Sequence, residues 1–185
     1  QAMLLRELSH RVKNTLAVVQ SVARQTLRSS PDPRRFVDAF EGRIRSLAAS
    51  HSMLTEADWG GAKMDTIIRH QVAALVHDYE GRFRLRGPEV VLPAEVATQL
   101  GLVLHELATN AAKYGSLSAP EGFVDIVWTT TKTKLRLLWR EHCGPHIEKP
   151  PEFSGFGTLL INSSASKVSQ HFGSDGLICK LEFAR

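Results

Sequence analysis

The sequence has 185 residues and a mass of 20.5 kDa, room for one ordinary domain plus a smaller module. Its 43% hydrophobic and 23% charged residues exclude wholesale disorder, and no apolar run approaches the ~18 residues of a membrane helix. The net charge of +4 lies entirely within residues 1–57, while the remainder is balanced.

In the first third, Leu5, Leu8, Val12, Leu16, Val19 and Val22 recur at three- and four-residue spacing, predicting a helix from near residue 1 to Ser29. Pro31-Asp32-Pro33 breaks it. A second helix is expected from Pro33 to Glu56, with Phe36, Phe40, Ile44, Leu47 and Leu54 as its stripe. The pair reads as a helical hairpin that needs another module or a second copy to cover it. Gly60-Gly61 marks the clearest boundary. Beyond it the pattern predicts a helix over 65–79, a strand over 82–86, and a helix over 93–114. Strands over 123–131 and 134–140, a helix over 158–170 and a final strand over 177–183 follow. This is an α+β arrangement, with too little strict alternation for a doubly wound sheet. The expected domains are 1–59 and 63–185.

Cys143 and Cys179 give neither zinc spacing nor a disulfide framework. With no stretch that reads as a signal peptide, this points to a reducing, cytoplasmic setting. At ~100° per residue, His10 falls almost opposite the apolar stripe, between Lys13 and Asn14. It reads either as a surface histidine or as an exposed imidazole available for chemistry. No second ligand stands at i+3 or i+4, which argues against metal. In His105-Glu-Leu-Ala-Thr-Asn-Ala-Ala-Lys113, Glu106, Asn110 and Lys113 share one helix face. Carboxylate, amide and ammonium in line suit a magnesium–phosphate group, although a solvated stripe looks the same. The zinc pattern HExxH fails for want of its second histidine. Glu141, at a strand end before Gly144, could accept a hydrogen bond from an exocyclic amine. Gly155-Phe-Gly157-Thr158 could bring backbone N–H groups to phosphate at a helix start. Neither a P-loop nor a dinucleotide fingerprint is present, and the basic residues lack the interleaved aromatics of a nucleic-acid binder.

The order of these signals resembles a bacterial sensor histidine kinase core. Ser9-His10-Arg-Val-Lys-Asn14, the stretch from His105 to Lys113-Tyr-Gly115, and Trp139-Arg-Glu141 resemble the HWE histidine kinase family. The resemblance implies a phosphoacceptor hairpin followed by a Bergerat-type α/β sandwich that binds ATP and Mg²⁺. It gives His10 the nucleophile's role, Asn110 the magnesium, and Lys113 the phosphates. Glu106 would polarise the imidazole or a metal-bound water, and Glu141 with its following Gly144 would hold the adenine. Gly155, Gly157 and Thr158 would line the phosphate end. Asn14 matches a position that supports phosphatase activity in other histidine kinases. The phosphoryl group would pass to an aspartate of a response regulator receiver domain. The same resemblance implies an upstream PAS-like sensory module and allows either a monomer or a homodimer through the hairpin; no nucleic-acid partner is expected. A non-catalytic scaffold that docks a receiver is the alternative. Cys143 stands where the family more often has glycine. The family also has a strand before the final one, where this sequence is expected to run straight from helix to last strand.

Overall fold

The computed structural model describes residues 12, 16, 19–24, 26, 27, 32–56, 61–73, 79–146, 160–162 and 164–184. They divide into two compact units, Gln1–Arg45 and Ser46–Arg185. Within the first unit, residues 12, 16, 19–24, 26 and 27 are helical. Helix α1 runs Pro33–Glu56, as the proline break predicts. Asp32 starts it: its carboxylate accepts from Arg34 N–H at 3.0 Å and its carbonyl from Phe36 N–H at 2.9 Å. Pro33, with no amide hydrogen to waste, occupies the first helical position. The Thr26 hydroxyl is fully buried, donates to the Val22 carbonyl at 2.6 Å, and accepts from Arg43 at 3.1 Å. The predicted stripe is only partly covered. Val22 is buried, whereas Val12 and Leu16 keep 49% and 55% of their surface exposed.

In the second unit, β1 (Ala62–Lys63) leads into α2 (Met64–Ala73), and α3 (Tyr79–Arg82) leads into β2 (Phe83–Arg86). β3 (Val91–Leu92) pairs with β1 and precedes the long helix α4 (Ala94–Lys113). A single 3-10 turn, Ser116–Ser118, connects to β4 (Phe123–Thr130) and β5 (Lys134–His142). β6 (Lys167–Gly173) and β7 (Gly176–Ala184) form the last hairpin. The five-stranded sheet has the order β2-β4-β5-β7-β6, parallel only between β2 and β4.

Period-2 burial gives the sheet one covered face. Val124, Ile126 and Trp128 of β4, with Leu135, Leu137 and Trp139 of β5, are buried there, as are Cys179, Leu181 and Phe183 of β7. Helices α2 and α4 pack together over the same core through Ile67, Ile68, Leu100, Leu104 and Leu107. This makes a two-layer sandwich. Leu104 is fully buried, so Leu104→Ala is expected to cost about 2–5 kcal/mol, read as a lower urea midpoint. A loss under ~1 kcal/mol would mean that the helix layer is not closely packed on the sheet.

Two expectations change. The helix expected over 65–79 ends at Ala73, and residues 79–82 form the separate short helix α3; residues 74–78 lie outside the described residues. The helix expected over 158–170 is helical at 160–162 and 164, but β6 begins at Lys167. Val168, Gln170 and Phe172 are half-buried between exposed Lys167, Ser169 and His171, an alternation that only a strand produces. β6 is therefore the additional strand that the sequence was expected to lack.

Candidate functional site

Inward alternation along β5 places Glu141 on the buried face, two residues beyond Trp139 and at the strand's end. Only 4% of it is exposed. A carboxylate cannot stay ionised there without donors, and several converge on it. The Ser116 N–H donates to Oε2 at 2.8 Å, and the Trp139 indole N–H donates to Oε1 at 3.3 Å. Burial pushes the Glu141 carboxyl above its ordinary value, opposed by these two bonds and by one from the Leu177 backbone. The Ser116 hydroxyl is close enough to favour the ionised form, yet it is buried without a partner in hydrogen-bond geometry.

Ser116 is brought there by the end of α4. The Asn110 carbonyl accepts from Tyr114 N–H at 2.8 Å and from Gly115 N–H at 3.1 Å, closing the helix. The chain then turns tightly against β5. A Cβ on Gly115 would lie 2.1 Å from Glu141 Oε2 and 2.9 Å from the Ala111 Cα, so no larger residue fits between them. The face of α4 that carries Glu106, Asn110 and Lys113 runs outward toward this corner: Glu106 is buried, Asn110 half-buried and Lys113 exposed. Past β5, Cys143 has a φ of 54°, the left-handed backbone that glycine adopts without penalty. The Gly144 N–H then donates to the Asp175 carbonyl in the β6–β7 turn at 3.0 Å.

The structure thus brings Glu141 and Gly144 together with the C-terminal end of α4 at one corner of the sandwich. His10, Asn14, Gly155, Gly157 and Thr158 lie outside the described residues. The partners Ser116 and Trp139 carried no assigned role in the sequence reading. Trp139 was detectable in principle, because i and i+2 on a strand share a face. Asp125 meets His142 at 2.9 Å. An open groove of about 540 Å³ lies on the other face of the sheet, among Val127, Leu138, Arg136 and Lys180, and contains none of the corner residues.

Among the described residues, no three His, Cys, Asp or Glu side chains gather into a metal site. A cation here would take most of its ligands from phosphate and water, as magnesium commonly does, so the single amide of Asn110 is compatible with it. The orphan Ser116 hydroxyl and the doubly held Glu141 suit a polar, planar ligand with a donor to offer.

The HWE histidine kinase family model matches residues 7–89. The chain is also 38% identical to the blue-light-activated histidine kinase of Brucella anthropi, across 96% of its own length. Over these stretches the chain resembles the HWE histidine kinase family. The counterpart from Brucella ovis is 35% identical across the same 96%. The chain spans about 38% of the length of these curated relatives. Its fold is shared with the histidine kinase domain of an Erythrobacter litoralis blue-light activated histidine kinase. That match has a TM-score of 0.66 and 22% identity, covering 97% of this chain and 92% of that one. A longer structure of the same Erythrobacter protein matches with a TM-score of 0.69 and 19% identity, over 98% of this chain and 58% of that one. The sandwich expected from the HWE motifs is therefore the fold observed.

Proposed function

We propose that the chain is the kinase core of a two-component sensor histidine kinase. It would transfer the γ-phosphoryl group of ATP to His10 and then to an aspartate of a response regulator receiver domain. The observation that carries the reading is the buried Glu141 carboxylate, held by Ser116 and Trp139 where the Glu106–Asn110–Lys113 face ends. Residues 1–59 act as the phosphoacceptor hairpin and 63–185 as the ATP-binding domain.

Glu141 accepts a hydrogen bond from the adenine amine, which fixes the base at the buried end of the site. The exposed Lys113 offers its ammonium to phosphate oxygens, and Asn110 offers an amide oxygen to magnesium. Gly155, Gly157 and Thr158 supply backbone donors to the phosphates. Bound magnesium supplies charge neutralisation for the transferring group. His10 attacks the γ-phosphorus through a neutral imidazole nitrogen: the N–P bond forms, the bond to the β–γ bridging oxygen breaks, and ADP leaves. Glu106 polarises that imidazole or a metal-bound water. Most of the acceleration is positioning and electrostatics, as is general for phosphoryl transfer. Asn14, one turn beyond His10, supports the reverse hydrolysis.

Among the described residues, no helix is long and apolar enough to cross a membrane, and we place the core in the cytoplasm. The exposed Val12, Leu16 and Val37 support a second copy seated on the hairpin. The basic excess of residues 1–57 suits an acidic receiver rather than a nucleic acid. A PAS-like sensory module upstream would supply the signal. The deciding experiment is incubation with radiolabelled Mg·ATP. Label that survives base and is lost in acid supports the reading. Thermal stabilisation by ATP without label would leave a nucleotide-binding scaffold, and no stabilisation would remove the nucleotide altogether.

A further inference from the structure

Arg82, the last residue of α3, grips a single loop through three hydrogen bonds. Its Nε donates to the Gly122 carbonyl at 2.5 Å, and its Nη2 donates to Leu117 at 3.0 Å and Ala119 at 2.8 Å. All three carbonyls belong to residues 115–122, the connection between α4 and β4. The loop's own backbone bonds are short turns: Ser118 N–H to Gly115, Ala119 N–H to Ser116 and Gly122 N–H to Ala119, at 3.1–3.2 Å. Such turns leave a loop free to shift as a body. The loop also crosses itself: a Cβ on Gly122 would lie 1.7 Å from the Ser116 carbonyl oxygen, so Gly122 rests directly on Ser116. Arg82 holds the upper strand of that crossing at Gly122 and the turn beneath it at Leu117 and Ala119. The lower strand is Ser116, whose N–H holds Glu141 Oε2 at 2.8 Å.

The guanidinium suits this task because its donors are fixed in one plane, whereas a lysine ammonium is a compact point charge on a flexible stem. We propose that Arg82 is a positioning residue for purine recognition: by fixing the 115–122 loop it orients the Ser116 amide and, through it, the Glu141 carboxylate. The proposal rests on reading Glu141 as the group that meets the base. Arg82 acts through the loop carbonyls it binds. Its effect lies in how sharply adenine is told from guanine, whose carbonyl at the corresponding ring position offers no donor to a carboxylate.

The test measures ATP and GTP affinities, by competition against a fluorescent nucleotide, for the full chain and for Arg82→Gln, Glu141→Ala and the double variant. In Arg82→Gln, ATP affinity is expected to fall by about tenfold, the scale of one weakened charge-assisted bond, with GTP little changed. In the Glu141→Ala background the same change should cost less than about threefold, because residues in one network are not additive. A lowered melting temperature with an unchanged ATP-to-GTP ratio would reduce Arg82 to a structural role and overturn the proposal. A wild-type protein with no ATP preference would overturn the base-binding role of Glu141, and this inference with it. If Arg82→Gln does not fold, Arg82→Lys is judged by the same ratio, with a partial loss of ATP preference expected and an unchanged preference overturning the proposal.

Discussion

His10→Ala is expected to abolish acid-labile labelling by Mg·ATP while leaving nucleotide binding intact. The sequence pattern puts His10 opposite the apolar stripe of the first helix, so its replacement is expected to behave as a surface change. Surface changes of this kind usually move stability by less than ~0.5 kcal/mol. The corner proposed for the nucleotide is built from α4, β5 and the β6–β7 turn, all in the second compact unit. Stabilisation by ATP should therefore survive, about 2.7 kcal/mol when nucleotide stands at a hundred times its dissociation constant. Chemistry should not survive, because phosphoryl transfer leaves the protein little to do beyond presenting a nucleophile in line. Labelling should drop by more than ~10³-fold, the scale on which the loss of an essential catalytic group is usually felt. Equal labelling of the variant would assign the phosphoacceptor elsewhere. Loss of ATP stabilisation along with the label would mean that His10 supports the fold rather than the reaction.

The parts of the site that rest on side-chain spacing were legible in the sequence. Glu106, Asn110 and Lys113 fall on one face because α4 is helical throughout, and its apolar stripe of Leu100, Val103, Leu104, Leu107 and Ala111 announced that helix. Glu141 was visible as an acid at a strand end, and its inward direction follows from the alternation that buries Leu135, Leu137 and Trp139. The contacts that make Glu141 a site were not legible. Ser116 contributes a backbone N–H, a group every residue but proline carries, across a separation of 25 residues. Arg82 reaches carbonyls 35 to 40 residues away, and a carbonyl leaves no mark in sequence. The misreading at β6 has a local cause. Val168 and Phe172 stand four apart, which fits one helix face as well as one strand face. The deciding information is the pairing with β7, from Lys167 opposite Glu182 to Gly173 opposite Gly176. Ser166 reinforces it, bonding the Glu182 carbonyl through both its N–H and its hydroxyl.

Glu141→Gln is expected to weaken ATP binding by ~10–100-fold although it keeps shape and volume, because a charge-assisted hydrogen bond outweighs a neutral one. The carboxylate offers two acceptors, one to Ser116 N–H and one to the Trp139 indole. An amide offers one, so its NH₂ must face a donor, either the indole N–H or the Ser116 amide. Whichever way it settles, less acceptor capacity remains for the adenine amine. The pH dependence separates this from simple loss of packing. Burial raises the carboxyl above its ordinary 4.5, so on acidification the wild-type carboxylate is protonated earlier than a solvated glutamate. ATP affinity should therefore fall at a pH above the usual carboxylate range, and the glutamine variant should show no such step. Stability has the opposite trend. A carboxyl raised in the folded state favours folding fully below the unfolded value of 4.5, and that contribution is lost as pH rises through the folded value. Relative to Glu141→Gln, the wild type should lose ground from pH 4.5 upward until the carboxyl is ionised, and then level off. The mispaired amide adds an offset that does not vary with pH, so the slope of the difference in melting temperature is the informative quantity. A difference that stays flat from pH 4 to 8 would mean that the hydrogen bonds to the carboxylate fully offset its burial, and would overturn the raised value.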